Sequence, residues 1–140
     1  MRVKFEATDA TGKMRKRSSI SHIYSHCVVI HFAAYKNVGE SMASPTKYWH
    51  NNVDGTVSLV DALLESGVTN IVFSSSCAVY GSPRTLPVAE DHATAPESPY
   101  GASKLMVEQM LEWYGACHGF GWVALRYFNA AGAIDDASIG

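Results

Sequence analysis

Val28-Val29-Ile30-His31-Phe32-Ala33-Ala34 is a continuous apolar run with β-branched residues at its start, the pattern of a strand buried on both faces in a parallel sheet. Asn70-Ile71-Val72-Phe73-Ser74-Ser75 and Trp122-Val123-Ala124-Leu125-Arg126-Tyr127-Phe128 repeat the type. Between the first two runs, Pro45 and Thr46 open a stretch in which Tyr48, Asn52, Leu59, Leu63 and Leu64 recur at helical spacing until Gly67 supplies a stop. Between the last two, Pro99 starts a second helix with Leu105, Met106, Met110 and Leu111 on its apolar face and Gly115 near its end. Strands alternating with helices of this length imply right-handed βαβ crossovers, hence an α/β fold with a doubly wound parallel sheet. Ligands of such sheets bind beyond the carboxyl ends of the strands. That rule selects Ala33 to Lys36, Ser74 to Ser76 and Tyr127 to Asn129.

The N-terminal part is less regular. Arg2 to Ala7 reads as one more strand, Ile20 to His26 as a short helix, and the basic run Lys13-Met14-Arg15-Lys16-Arg17 as a solvated loop or helix start. The 140 residues suit one domain with a real core and are too few for two ordinary ones. A hydrophobic share of 47% against 17% charged residues excludes a disordered chain, and a net charge of −2 gives no global reason to expect nucleic acid or an anionic membrane as partner. Cys27, Cys77 and Cys117 are odd in number and far apart, which suits neither a disulfide framework nor a paired-cysteine metal site. A reducing, cytoplasmic setting is the economical reading. No apolar run approaches a membrane span and the N-terminus lacks a signal-peptide core. His22 and His26 stand four apart without an evident third ligand, so no metal is expected, and His31 reads as a packed, hydrogen-bonded imidazole.

Chemistry concentrates in two segments. In Ser98-Pro99-Tyr100-Gly101-Ala102-Ser103-Lys104 a tyrosine and a lysine stand four apart where the second helix begins. Residues i and i+4 share a helix face, and an ammonium beside a phenol favours the phenolate, drawing the tyrosine toward acid/base work near neutrality. Ser74-Ser75-Ser76-Cys77-Ala78-Val79-Tyr80-Gly81 follows directly on a strand, so its hydroxyls project toward the ligand crevice. A serine can hydrogen-bond a reacting oxygen while the tyrosine moves the proton.

The spacing Ser76-x23-Tyr100-x3-Lys104 resembles the extended short-chain dehydrogenase/reductase superfamily. Further segments resemble its UDP-glucose 4-epimerase branch: "HFAAYKNVGES" (His31 to Ser41), "NNVDGT" (Asn51 to Thr56), "FSSSCAVYG" (Phe73 to Gly81), "SPYGASKLMVEQML" (Ser98 to Leu111) and "LRYFNAAGA" (Leu125 to Ala133), in the family order. "VKFEATDAT" (Val3 to Thr11) is similar, less distinctively, to the family's third strand and its adenine-side Asp. The resemblance implies a Rossmann-like NAD-binding domain, with residues 1–140 one partial copy truncated at both ends. It also implies interconversion of UDP-galactose and UDP-glucose: NAD takes hydride from C4, the 4-keto sugar turns over, and hydride returns to the other face. Tyr100 would be the acid/base at the 4-hydroxyl, Lys104 would bind the nicotinamide ribose and favour ionisation of the tyrosine, and Ser76 would hold the 4-oxygen. Phe32, Ala33, Ala34 and Lys36 would line the cofactor, as would Asn51, Ser74, Tyr127 and Phe128, together with Asp9. Lys36 and Asn129 would contact the UDP-sugar beside Ser76 and Tyr100. Trp113 and Tyr114, on the second helix, would lie near a helix-bundle homodimer interface, and Tyr48 and Trp49 read as helix core or dimer surface.

Departures from the pattern shape the alternatives. Cys77-Ala78 stand where the family commonly has Ala-Thr, which removes a hydroxyl near the reacting sugar, and they cannot supply the Asp-Glu pair of a dehydratase. The only glycine before Gly39 is Gly12, so the G-x-G-x-x-G-like loop that cradles a pyrophosphate is absent from this sequence. The chain alone is therefore expected to be inactive, a catalytically silent fragment or pseudoenzyme being one alternative. Another nucleotide-sugar epimerase of the same superfamily is the second.

Overall fold

The computed structural model describes residues 27–129 together with the backbone of 5–8 and 14–17. Strand β1 (Phe5–Thr8) pairs antiparallel with β2 (Met14–Arg17), Phe5 opposite Arg17 and Thr8 opposite Met14. Met14 to Arg17 of the basic run are therefore strand rather than the expected loop or helix start, their backbone pairing with β1, while Lys13 lies outside the described residues. Asp9 and the expected helix at 20–26, with His22 and His26, lie outside the described residues.

The second sheet is parallel, in the order β3 (Val29–His31), β4 (Asn70–Ser76), β5 (Gly121–Tyr127). Its register places Ile30, Val72 and Val123 in one row, and His31, Phe73 and Ala124 in the next. Successive rows face opposite sides. On one side Ile71 and Phe73 pack against Val60 and Leu63 of α3 (Gly55–Glu65) and Val107 and Leu111 of α4 (Pro99–His118), with Val68 and Phe120 closing the ends. Each such buried side chain contributes roughly 1.5–3 kcal/mol. Among the described residues nothing covers the other side: Ile30 and Phe32 are 59% and 63% exposed, and Val123 is 52% exposed. Burial on both faces, expected from the apolar runs, is thus not met among the described residues, because both helical crossovers pack against one face.

The first crossover is more broken than its periodicity predicts. Helix α1 (Val38–Ala43) is capped by Asn37, whose Oδ1 accepts from the Glu40 amide at 2.9 Å. Helix α2 (Pro45–Tyr48) runs into a π-helical segment (Trp49–Asp54) before α3 begins. Tyr48, Asn52 and Leu63 are buried as their spacing requires, while Leu59 and Leu64 pack at the core's margin. The positive φ of Gly67 ends the segment, as expected.

In α4, Ser98 Oγ accepts from the Gly101 amide and Pro99 occupies the first turn. The helix passes Gly115 and stops at Gly119, whose φ of 67° gives the left-handed cap. Its core face is carried by Val107 and Leu111, with Met106 instead 46% exposed. That face also buries Ser103, Lys104 and Glu108, a polar set that hydropathy assigns to solvent.

Candidate active site

The carboxyl end of β4 meets the first turns of α4. Lys104 is 4% exposed, and its Nζ donates to the Ser74 carbonyl at 2.7 Å. The ammonium lies 4.8 Å from the Phe73 ring centroid and 5.9 Å from that of Tyr100. Burial penalises the charged form and lowers the lysine's pKa to about 8. Tyr100 is half-buried, its ring edge-on to Tyr48 at 6.4 Å between centroids. Beneath it Tyr48 is buried, its hydroxyl between the Asn37 carbonyl at 2.6 Å and Glu40 Oε2 at 2.9 Å, and burial pushes its pKa up.

Ser76 ends β4 and caps the short 3-10 turn Cys77–Val79, its Oγ accepting from the Ala78 amide at 3.2 Å. That leaves the serine's own proton free to donate. The backbone of Gly101 comes so close to this turn that a Cβ there would stand 2.6 Å from the Ala78 oxygen. Glycine next to Tyr100 thereby lets the helix start seat directly against the turn after Ser76.

The remaining residues singled out from the sequence surround these ends. Phe32, Ala33 and Lys36 are exposed after β3, with Ala34 half-buried. Tyr127, Phe128 and Asn129 are exposed at the end of β5, Phe128 stacking on Tyr80 at 6.5 Å. Ser74 is half-buried, and Asn51 is exposed in the π-helical segment, donating to Asn52 Oδ1 at 2.9 Å. His31 behaves as expected of a packed imidazole: Nε2 contacts Thr56 Oγ1 at 3.0 Å, the ring tilts on Phe73, and burial, helped by the nearby Lys104 charge, lowers its pKa.

Two polar networks escaped the sequence reading. Asn52 is buried; its amide donates to the Tyr35 carbonyl at 3.0 Å and Ser103 Oγ at 3.1 Å and accepts from the Tyr35 amide at 2.9 Å, tying the loop after β3 to α4. Glu108 accepts from Ser75 Oγ at 2.5 Å and from a forked Arg126, whose Nη2 lies 2.7 Å from Oε2. A signal for the second was present: an arginine inside the apolar run Trp122 to Phe128 requires a buried partner. All three cysteines are free. Among the described residues no group of His, Cys, Asp or Glu is assembled to hold a metal, and no helix is long and apolar enough to cross a membrane.

The parallel α/β sheet thus carries a buried lysine, a neighbouring phenol and a serine at its carboxyl end, where ligands of such sheets bind. The chain belongs to the NAD dependent epimerase/dehydratase family, whose family model matches residues 2–138. It is 51% identical over 105 residues to a UDP-glucose 4-epimerase of Streptomyces lividans, covering 75% of this chain and 32% of that relative. It superimposes on the structure of UDP-glucose 4-epimerase from Brucella ovis in complex with NAD, with TM-score 0.76 and 52% identity, covering 81% of this chain and 35% of that one. The UDP-Glc/GlcNAc 4-epimerase of Campylobacter jejuni is similar at TM-score 0.71 and 42% identity, over 74% of this chain and 32% of that one. The chain thus spans about a third of the length of the relatives it matches.

Proposed function

We propose that this chain carries the acid/base half of a UDP-glucose 4-epimerase active site, an isomerase inverting C4 between UDP-galactose and UDP-glucose. The observation that carries the reading is the buried Lys104, held at the carboxyl end of β4 beside Tyr100 and the Ser76 turn. The nicotinamide half of NAD fits this setting: Lys104 offers an ammonium to a ribose, while Phe32, Tyr127 and Phe128 present exposed rings. When bound, NAD supplies the hydride acceptor and donor that inversion at C4 requires.

Tyr100 Oη takes the proton from the sugar 4-hydroxyl and later returns it. Lys104 holds the ribose. Ser76 Oγ, free to donate, holds the 4-oxygen. Ala33, Ala34, Lys36, Asn51 and Ser74 flank the cofactor, with Lys36 and Asn129 toward the UDP-sugar. Three unpaired cysteines favour a reducing, cytoplasmic setting. Trp113, 70% exposed on α4, favours homodimerisation through that helix.

The test places this chain in a chimera with the flanking parts of the Streptomyces lividans enzyme and follows conversion of UDP-galactose. Tyr100→Phe is expected to lower kcat by about 10²–10⁴-fold with NAD still bound. Undiminished turnover would sink the assignment. Preference for the N-acetylated sugar would move the reading to the Glc/GlcNAc branch, and a chimera that binds NAD without turnover would favour a silent site.

A further inference from the structure

Tyr100, Lys104 and Glu108 stand four apart on α4, so they form one line along the face turned to β4. Two of them reach successive strand residues: Lys104 Nζ donates to the Ser74 carbonyl, and Glu108 accepts from Ser75 Oγ. Glu108 is 5% exposed and its carboxylate is gripped from β5 by Arg126, through Nε at 3.1 Å to each oxygen and Nη2 at 2.7 Å. The remaining arm of the guanidinium, Nη1, donates to Tyr80 Oη at 2.9 Å and the Glu90 carbonyl at 3.1 Å. One carboxylate therefore joins helix, central strand, edge strand and the loop beyond the Ser76 turn.

We infer that the Glu108–Arg126 pair, anchored to Ser75, sets the register of α4 against β4 and so positions Tyr100 and Lys104 at the strand ends. This rests on reading Tyr100 and Lys104 as the proton-handling pair. The apolar contacts of Val107 and Leu111 with Ile71 and Phe73 are non-directional and tolerate sliding. A slip of one residue moves the helix by about 1.5 Å and turns it by about 100°, enough to carry Tyr100 away from its place. A buried ion pair is a poor source of stability, since apolar residues of similar volume often replace it without loss, whereas its fixed bond directions specify geometry. Lys104 must stay free to meet a ligand, so the register is held one turn further along, by positioning residues that never touch it.

The test reads Lys104 itself in the 140-residue chain, by NMR of 13C-labelled lysine, with its resonance identified by its absence in Lys104→Met. The groups facing Lys104 are His31 from β3, Phe73 and the Ser74 carbonyl from β4, and Tyr100 from its own helix. In the double variant Glu108→Leu with Arg126→Met, opposite charges leave together. Their direct effects on Lys104 therefore oppose each other, and burial remains the cause that sets its midpoint. A helix that slips frees Lys104 from burial, so its titration midpoint is expected to rise from about 8 by about one pH unit or more. An unmoved or lowered midpoint in the folded double variant overturns the inference. If that variant does not fold, Arg126→Lys decides: it keeps the charge and loses the fork, and its midpoint must rise too, an unmoved one overturning the inference. Neither sugar nor cofactor is present, so an inactive chimera would refute the epimerase reading and leave this result standing, and the reverse holds equally.

Discussion

Lys104 illustrates how a buried charged side chain can cost stability. Its folded pKa of about 8 lies below the ordinary 10.5, so the fold favours the neutral amine. Below about pH 8 the whole penalty for burying an ammonium is present; between 8 and 10.5 the folded state releases its proton first and the penalty fades. At neutral pH that amounts to at most roughly 3 kcal/mol, while losing the charge-assisted bond to the Ser74 carbonyl costs roughly 1.5–3 kcal/mol. Lys104→Met is thus expected to stabilise the chain by no more than about 1.5 kcal/mol at pH 7 and to lose that advantage by pH 10. Urea unfolding at the two pH values measures it, and an equal gain at both would refute burial as the cause. Gly101 makes the opposite case. A Cβ there meets the Ala78 backbone at 2.6 Å, so Gly101→Ala is expected to cost about 1–3 kcal/mol by prising the helix start from the Ser76 turn; a thermal melt at wild-type temperature would contradict it.

At the scale of elements, the three parallel strands and the two crossovers were legible because long apolar runs and helical spacing are properties of the chain itself. What was not legible depended on partners. Helix α1 spans six residues, too few for a periodic signal. Asn52, inside the π-helical turn, bonds to Tyr35 and to Ser103, the latter 51 positions away. Tyr100, Lys104 and Ser76 could be chosen from spacing, yet the Lys104 bond to a strand carbonyl and the Glu108–Arg126 pair needed the packed sheet. The apolar runs also implied a cover on both faces. The open face instead predicts that the chain binds a hydrophobic dye and self-associates. Ile30→Thr with Val123→Thr keeps β-branched side chains on exposed positions, so it should reduce both signals while changing stability by no more than about 0.5 kcal/mol. Fluorescence and sedimentation check this, and unchanged dye binding would place the sticky surface elsewhere.

For the whole molecule the decisive quantity is how much of a dinucleotide these residues can hold. On the proposed reading, the lysine, small residues and exposed rings at the strand ends would meet the nicotinamide half. The pyrophosphate has no glycine-rich loop in this sequence, where Gly12 alone precedes Gly39. Each charge-assisted hydrogen bond from such a loop is worth roughly 1.5–3 kcal/mol. Lacking two of them weakens binding by about 10²–10⁴-fold, enough to carry a micromolar affinity to the millimolar range. Calorimetric titration of the 140-residue chain with NAD is therefore expected to show no saturation below about 1 mM. Nicotinamide mononucleotide, which lacks the adenylate half, should bind within about threefold of NAD, since the same strand ends would hold both. Saturable micromolar binding of NAD, with the mononucleotide far weaker, would mean that backbone amides elsewhere in the chain do the work of the missing loop.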